Sequence, residues 1–236
     1  MRGLIVALDA ASLDEARALA ERVAPHAAGL KVGLELFVAA GPAAVTTIER
    51  ATSRPIFLDL KLHDIPETVE RAVARACATG AKLLTVHASG GPAMLERAVT
   101  RAAREATGLR VIAVTVLTSL DDRDLEAIGV SRGAQDQVVA LARMARAAGV
   151  DAFVCSPREV RALREAFGGD VLLVTPGVRP ASSRESGESD QKRDATPEAA
   201  IAAGADAIVV GRPIRDASDP RAAAERIARA CLSPRA

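Results

Sequence analysis

The sequence has no tryptophan, no tyrosine and only four phenylalanines, so aromatic residues make up 2% of its 236 positions. Platforms for single-stranded nucleic acid are built from aromatic rings, and their scarcity argues against that class of partner. A surplus of charge is also missing. Lys and Arg number 31 against 30 Asp and Glu, for a formal net charge of +1. That leaves neither the basic footprint of a nucleic-acid binder nor an acidic solvating tail. Cysteine is sparse: Cys77, Cys155 and Cys231 are far apart and form no C-x-x-C pair. Reduced, structural thiols in a cytoplasmic protein are expected. The apolar run Met1–Leu8 is too short for a signal peptide and is broken by Asp9. No apolar stretch approaches about 18 residues, so no membrane span is expected. His26, His63 and His87 show no metal-ligand spacing, and no metal is expected. Lysine is scarce too: only Lys31, Lys61, Lys82 and Lys192, against 27 arginines. Two of these four fall at candidate site positions, which hints at a need for an ammonium that can give up a proton, as guanidinium cannot.

What is present is a repeated unit. A short apolar run is followed by an amphipathic stretch, eight times over. The strand candidates are Leu4–Asp9, Leu30–Leu34, Ile56–Lys61, Leu83–His87, Val111–Leu117, Ala152–Cys155, Val171–Thr175 and Ala207–Gly211. Between them, helical periodicity marks Leu13–Val23, Glu67–Ala78, Ala93–Glu105, Val138–Ala147, Glu159–Phe167 and Ala222–Ala230. Ser12 with Asp14 and Glu15, and Pro66 with Glu67, read as helix starts. Gly80, Gly108, Gly149 and Gly204 fall where helices should stop. Strict alternation implies parallel strands with right-handed crossovers. Eight units in a chain this long predict a closed (β/α)8 barrel, one domain over residues 1–236, which typically takes about 250 residues. The runner-up is an open doubly wound sheet. It is weakened because Leu8-Asp9-Ala10-Ala11 stands where a G-x-G-x-x-G turn would follow the first strand.

In a barrel, alternate strand residues face inward and catalysis sits at the strands' C-terminal ends. In the third strand Ile56, Leu58, Leu60 and Leu62 share one face, while Phe57, Asp59, Lys61 and His63 share the other. The apolar face must pack on the outer helices, so Asp59 and Lys61 are driven inward. In the second strand, Leu30, Val32 and Leu34 are expected on one face and Lys31 on the other, with room left by Gly29 and Gly33. Asp9 ends the first strand on the Ile5/Ala7 face. Each has a bland reading: Asp9 as a strand end, Asp64 as a helix cap, Asp59–Lys61 as a structural ion pair. Taken together the bland readings weaken, because such a cluster is costly to desolvate without a use.

These residues carry a resemblance. Asp59-Leu60-Lys61-Leu62-His63-Asp64-Ile65-Pro66 resembles the D-x-K-x-x-D-I signature of the orotidine 5′-phosphate decarboxylases. Other motifs follow in that family's order: Asp9, Lys31, Val116-Leu117-Thr118-Ser119, Thr175-Pro176-Gly177-Val178-Arg179, Asp190-Gln191-Lys192-Arg193 and Val210-Gly211-Arg212-Pro213. The resemblance spans essentially the whole chain. The segment between Arg179 and Gln191 departs from it, being longer than in many bacterial members and rich in Ser and Glu.

The resemblance implies a homodimer that converts orotidine 5′-monophosphate to UMP and CO2 without a cofactor. It implies that Lys61 delivers a proton to C6 of the pyrimidine and that Asp59 lies near the substrate carboxylate. Lys31 and Asp64 complete a charged array, Asp64 coming from the partner subunit with Ile65 and Thr68 beside it. Asp9 and Lys31 would hold ribose hydroxyls, Thr118 would contact the pyrimidine, Pro176 would be a further substrate contact, and Arg179, Gln191, Gly211 and Arg212 would hold the 5′-phosphate. The position of loop Ala181–Thr196 between the expected phosphate contacts favours a closing lid over a plain connection. The competing reading is a metal-dependent sugar-phosphate decarboxylase or synthase of the same superfamily, which would carry an acidic metal ligand where this chain has Lys31. A barrel that binds nucleotide without chemistry would lack Lys61 or Asp59.

Overall fold

A computed structural model describes residues 1–180 and 195–232. Eight parallel strands close into a barrel in chain order. They are β1 (Gly3–Ala7), β2 (Gly29–Val32), β3 (Ile56–Leu62), β4 (Leu83–His87), β5 (Arg110–Val114), β6 (Ala152–Val154), β7 (Leu172–Thr175) and β8 (Ala207–Val210). The ring closes through Leu4↔Ile208 and Ile5↔Val209, between β1 and β8. The helices are α1 (Leu13–Val23), α2 (Leu34–Ala40), α3 (Ala43–Thr52), α4 (Pro66–Cys77), α5 (Pro92–Glu105), α6 (Asp122–Ala127), α7 (Ala134–Ala147), α8 (Val160–Phe167), α9 (Pro197–Ala202), α10 (Arg212–Arg215) and α11 (Pro220–Ala230).

Strand alternation sorts the core into two layers. Ile5, Phe57, Leu83, Ile112, Leu172 and Val209 belong to the apolar cluster inside the barrel. Leu4, Val6, Leu30, Ile56, Leu58 and Leu84 point out and pack with the helices' buried faces. Local signals set the helix ends. The Ser12 side chain accepts the Glu15 N–H at the start of α1, and Pro66 opens α4, where a missing N–H costs nothing. Gly204, after α9, sits at φ +107°, a left-handed position that glycine takes without a Cβ clash.

The structure corrects two local expectations. Leu34 does not continue β2: the strand ends at Val32, Gly33 caps α2, and Leu34 opens that helix, 52% exposed. Gly29 does not make room for Lys31. A Cβ there would meet the Met1 sulfur at 2.3 Å, so this glycine admits the Met1 side chain, which packs against the barrel interior. Gly33 does serve Lys31, since a Cβ there would sit 2.7 Å from its Nζ.

Among the described residues no helix is long and apolar enough to cross a membrane. Cys77, Cys155 and Cys231 form no disulfide. Burial, with a smaller effect from Glu198, pushes the Cys231 thiol up to about 11, the opposite of an activated nucleophile.

Candidate active site

The inward positions of β1 to β3 end in a chain of alternating charge. Lys31 Nζ donates to Asp9 Oδ1 at 2.9 Å and lies 3.7 Å from Asp59 Oδ2. Lys61 Nζ donates to the other Asp59 oxygen, Oδ1, at 2.9 Å. Lys31 and Asp59 are nearly buried, with side chains 12% and 14% exposed, whereas Lys61 at 31% opens to the cavity. Ammonium and carboxylate groups withdrawn from water need such mutual pairing.

Lys61 reaches this position by an irregular route. Its backbone is left-handed, at φ +49°, and the β3–β4 register shifts between Leu58 and Leu62. For a non-glycine residue that conformation costs roughly 1–2 kcal/mol. Simple alternation therefore gives the correct face for Lys61 but not its backbone.

A cavity of 380 Å³ opens over this array, lined by Asp9, Lys31, Asp59, Lys61, Thr118 and Pro176, and by Arg179, Gly211, Arg212 and Arg215 from the segments after β7 and β8. In an eight-strand ring β3 and β7 stand across from each other, and Lys61 at the end of β3 and Arg179 in the segment after β7 both line the cavity. Among the described residues, five cationic and two anionic side chains line it. Arg215 is itself paired with Asp216 at 2.6 Å, and its guanidinium also donates to the Asp9 carbonyl at 2.9 Å. A described lining with more cationic than anionic side chains suits a multiply charged anion. A Cβ on Gly211 would meet Ala7 Cβ and Asp9 Oδ2 at 3.4 Å, close to an ordinary contact distance.

Three expected site residues are not brought to this cavity. Asp64, Ile65 and Thr68 are exposed and point elsewhere than into their own barrel's cavity. Asp64 Oδ1 accepts the Ile65 N–H at 2.6 Å. Gln191, and loop positions 181–194 with it, lie outside the described residues. His63 and His87 lie near the array with ring centroids 5.2 Å apart and planes tilted by 38°. Burial holds His87 below the ordinary imidazole value of 6.5, helped by the charges of His63 and Lys61 and opposed by Asp59.

Two contributors escaped the reading of the sequence. Arg215 lies three residues after Arg212 on the same short helix, and that spacing could have found it. Thr85 is an inward-facing, fully buried hydroxyl on β4 that donates to Asp59 Oδ1 at 3.0 Å. A polar residue on the apolar inward face between Leu83 and His87 was the available signal.

Fold and site together define a (β/α)8-barrel enzyme whose mouth carries a Lys–Asp array from the ends of β1 to β3 and arginines from the segments after β7 and β8. The sequence model of the "Orotidine 5'-phosphate decarboxylase / HUMPS family" matches residues 2–227, and the chain belongs to that family. The orotidine 5′-phosphate decarboxylase of Anaeromyxobacter sp. (strain K) is 55% identical over 225 residues, covering 95% of this chain and 96% of that protein. The Thermobifida fusca (strain YX) protein of the same name is 51% identical, covering 95% and 94%. The crystal structure of orotidine 5′-phosphate decarboxylase from Lactobacillus acidophilus superposes with a TM-score of 0.84 at 38% identity, covering 99% of this chain and all of that one.

Proposed function

We propose that this enzyme decarboxylates orotidine 5′-monophosphate to UMP in pyrimidine biosynthesis, with Lys61 as the proton donor to C6. Family membership and the relatives at 50% identity and above support the reaction. The observation that carries the assignment of roles is the alternation Asp9–Lys31–Asp59–Lys61 along one cavity wall.

The C6–carboxylate bond breaks, CO2 departs, and the electron pair stays on C6. No conjugated group accepts that pair, so the site must stabilise it with a preorganised cation. The Lys61 ammonium stands at the cavity, fixed by Asp59, and transfers a proton from Nζ to C6. Asp59, close to the substrate carboxylate, disfavours that charge in the ground state and is relieved as CO2 forms. Asp9 and Lys31 hold ribose hydroxyls, and Thr118 and Pro176 border the pyrimidine. Arg179, Arg212 and the Gly211 backbone hold the phosphate, with Gln191 as a further contact. Phosphate binding energy, remote from C6, orders the reacting groups.

The reading extends to a cytoplasmic homodimer in which the whole chain, 1–236, serves one barrel. Asp64, Ile65 and Thr68 enter the partner's site. Exposed apolar residues near the barrel mouth support this: Leu34 and Val38 on one face of α2, and Ile65 at the entry to α4, are 52%, 82% and 67% exposed. The reading needs no cofactor and no metal. Lys31 stands between two carboxylates, where its ammonium repels a divalent cation.

The test is a UV assay of the purified protein on orotidine 5′-monophosphate, with and without chelator. Unchanged turnover in chelator is the expected result. Activity that vanishes and returns with magnesium would transfer the assignment to the metal-dependent sugar-phosphate enzymes of the family.

A further inference from the structure

β3 and β4 fall out of step at the site. Leu58 pairs with Leu84 and the next pair is Leu62 with Val86, so three residues of β3 stand opposite one of β4, Thr85. The Thr85 side chain fills the irregularity. Its hydroxyl accepts the Lys61 backbone N–H at 2.7 Å and donates to Asp59 Oδ1 at 3.0 Å. The directions are forced, because an N–H only donates and a carboxylate only accepts. Asp59 Oδ1 also receives the Lys61 ammonium at 2.9 Å. Lys61 backbone, Thr85 hydroxyl, Asp59 carboxylate and Lys61 ammonium thus close a ring.

We propose that Thr85 is a positioning residue for the decarboxylation, its buried hydroxyl holding the Asp59 carboxylate and the left-handed backbone of Lys61 in one geometry. This rests on the roles given above to Lys61 and Asp59. Thr85 does not line the cavity, so it acts through those two residues and not on the substrate. Without the hydroxyl, the Lys61 N–H and one Asp59 lone pair lose their partner together. Lys61 is then free to relax out of its left-handed conformation, and the ammonium moves with it.

The test compares Thr85→Val, which keeps shape and removes the hydroxyl, with Thr85→Ser, which keeps the hydroxyl. Thr85→Val should lower kcat about 10- to 100-fold, as expected of a small misplacement of reacting groups, with a much smaller change in KM. Thr85→Ser should restore most of the loss. The backbone amide of Lys61, followed by NMR hydrogen exchange, should lose protection in the valine variant and keep it in the serine variant. Wild-type kcat in Thr85→Val overturns the proposal. So does a parallel fall of kcat, KM and Tm that serine fails to rescue. A wild-type protein inert towards orotidine 5′-monophosphate would instead defeat the reading of the reaction. Lys61 amide exchange still decides on Thr85 in that case, because unchanged protection in the valine variant removes its positioning role.

Discussion

Lys61 combines an unfavourable backbone with a side chain bonded to Asp59, and such local strain persists only where the surroundings over-determine it. Its ammonium is compact and can release a proton, whereas arginine keeps the charge without a transferable proton. Lys61→Arg is therefore expected to lose several orders of magnitude in kcat while still binding UMP; near-normal turnover would remove Lys61 as the donor. The pairing of Lys61 with Asp59 was legible in the sequence, because two residues apart on a strand with an apolar opposite face leaves one choice. The left-handed φ was not, since lysine has no preference for it and only the β4 register demands it. His87 adds a pH effect. Its folded value lies below 6.5, chiefly through burial, so between the two values the unfolded chain binds more protons. The stability linked to it is present above about pH 6.5 and declines as pH falls further. Tm measured from pH 7 to 5 should fall more steeply for the wild type than for His87→Asn; parallel curves would mean that the imidazole is not the sensor.

Among the elements, α10 carries the clearest assignment. It begins at Arg212 immediately after Gly211, and its Arg212 and Arg215 line the same cavity as Asp9, Pro176 and Arg179. An arginine that acts on a phosphate dianion through charge-assisted hydrogen bonds matters only to ligands that carry the phosphate. Arg212→Ala should weaken UMP far more than uridine in calorimetric titrations; equal weakening would move the phosphate elsewhere. Elements with a clean apolar pattern between clear breaks were readable: α1 and β4 have the bounds expected of them, and α5 begins one residue early, at its proline. Those that escaped are short or hidden. The apolar run of β2 continues through Gly33 into α2, so strand and helix look like one segment, and α6 is six residues of mostly charged sequence. Neither offers enough turns for a helical period to register.

At the scale of the molecule, the question is whether the site belongs to one chain. Asp64 is exposed and absent from its own cavity, which suits a residue destined for a neighbour. Lys61→Ala and Asp64→Ala should each be nearly inactive as homodimers. In a mixed dimer one site carries both defects and the other none. Random reassortment makes about half the dimers mixed, so roughly a quarter of wild-type activity should return on mixing, as two-fold symmetry requires. No recovery, with mixed dimers verified by mass spectrometry, would assign both residues to the same subunit's site. Closure of the barrel between β1 and β8 has a consequence of a different kind, for the chain as it is being made. Synthesis releases β1 first and β8 after all the other strands, at about 5–20 residues per second. Until Ala207–Val210 emerges, β1 and β7 each present a row of unpaired backbone groups, the kind of edge on which aggregation is templated. The mature sheet has no such edge, so the burden falls wholly on the nascent state. It is the last strand, not the strands that bear the chemistry, that removes the newborn chain's open sheet edges.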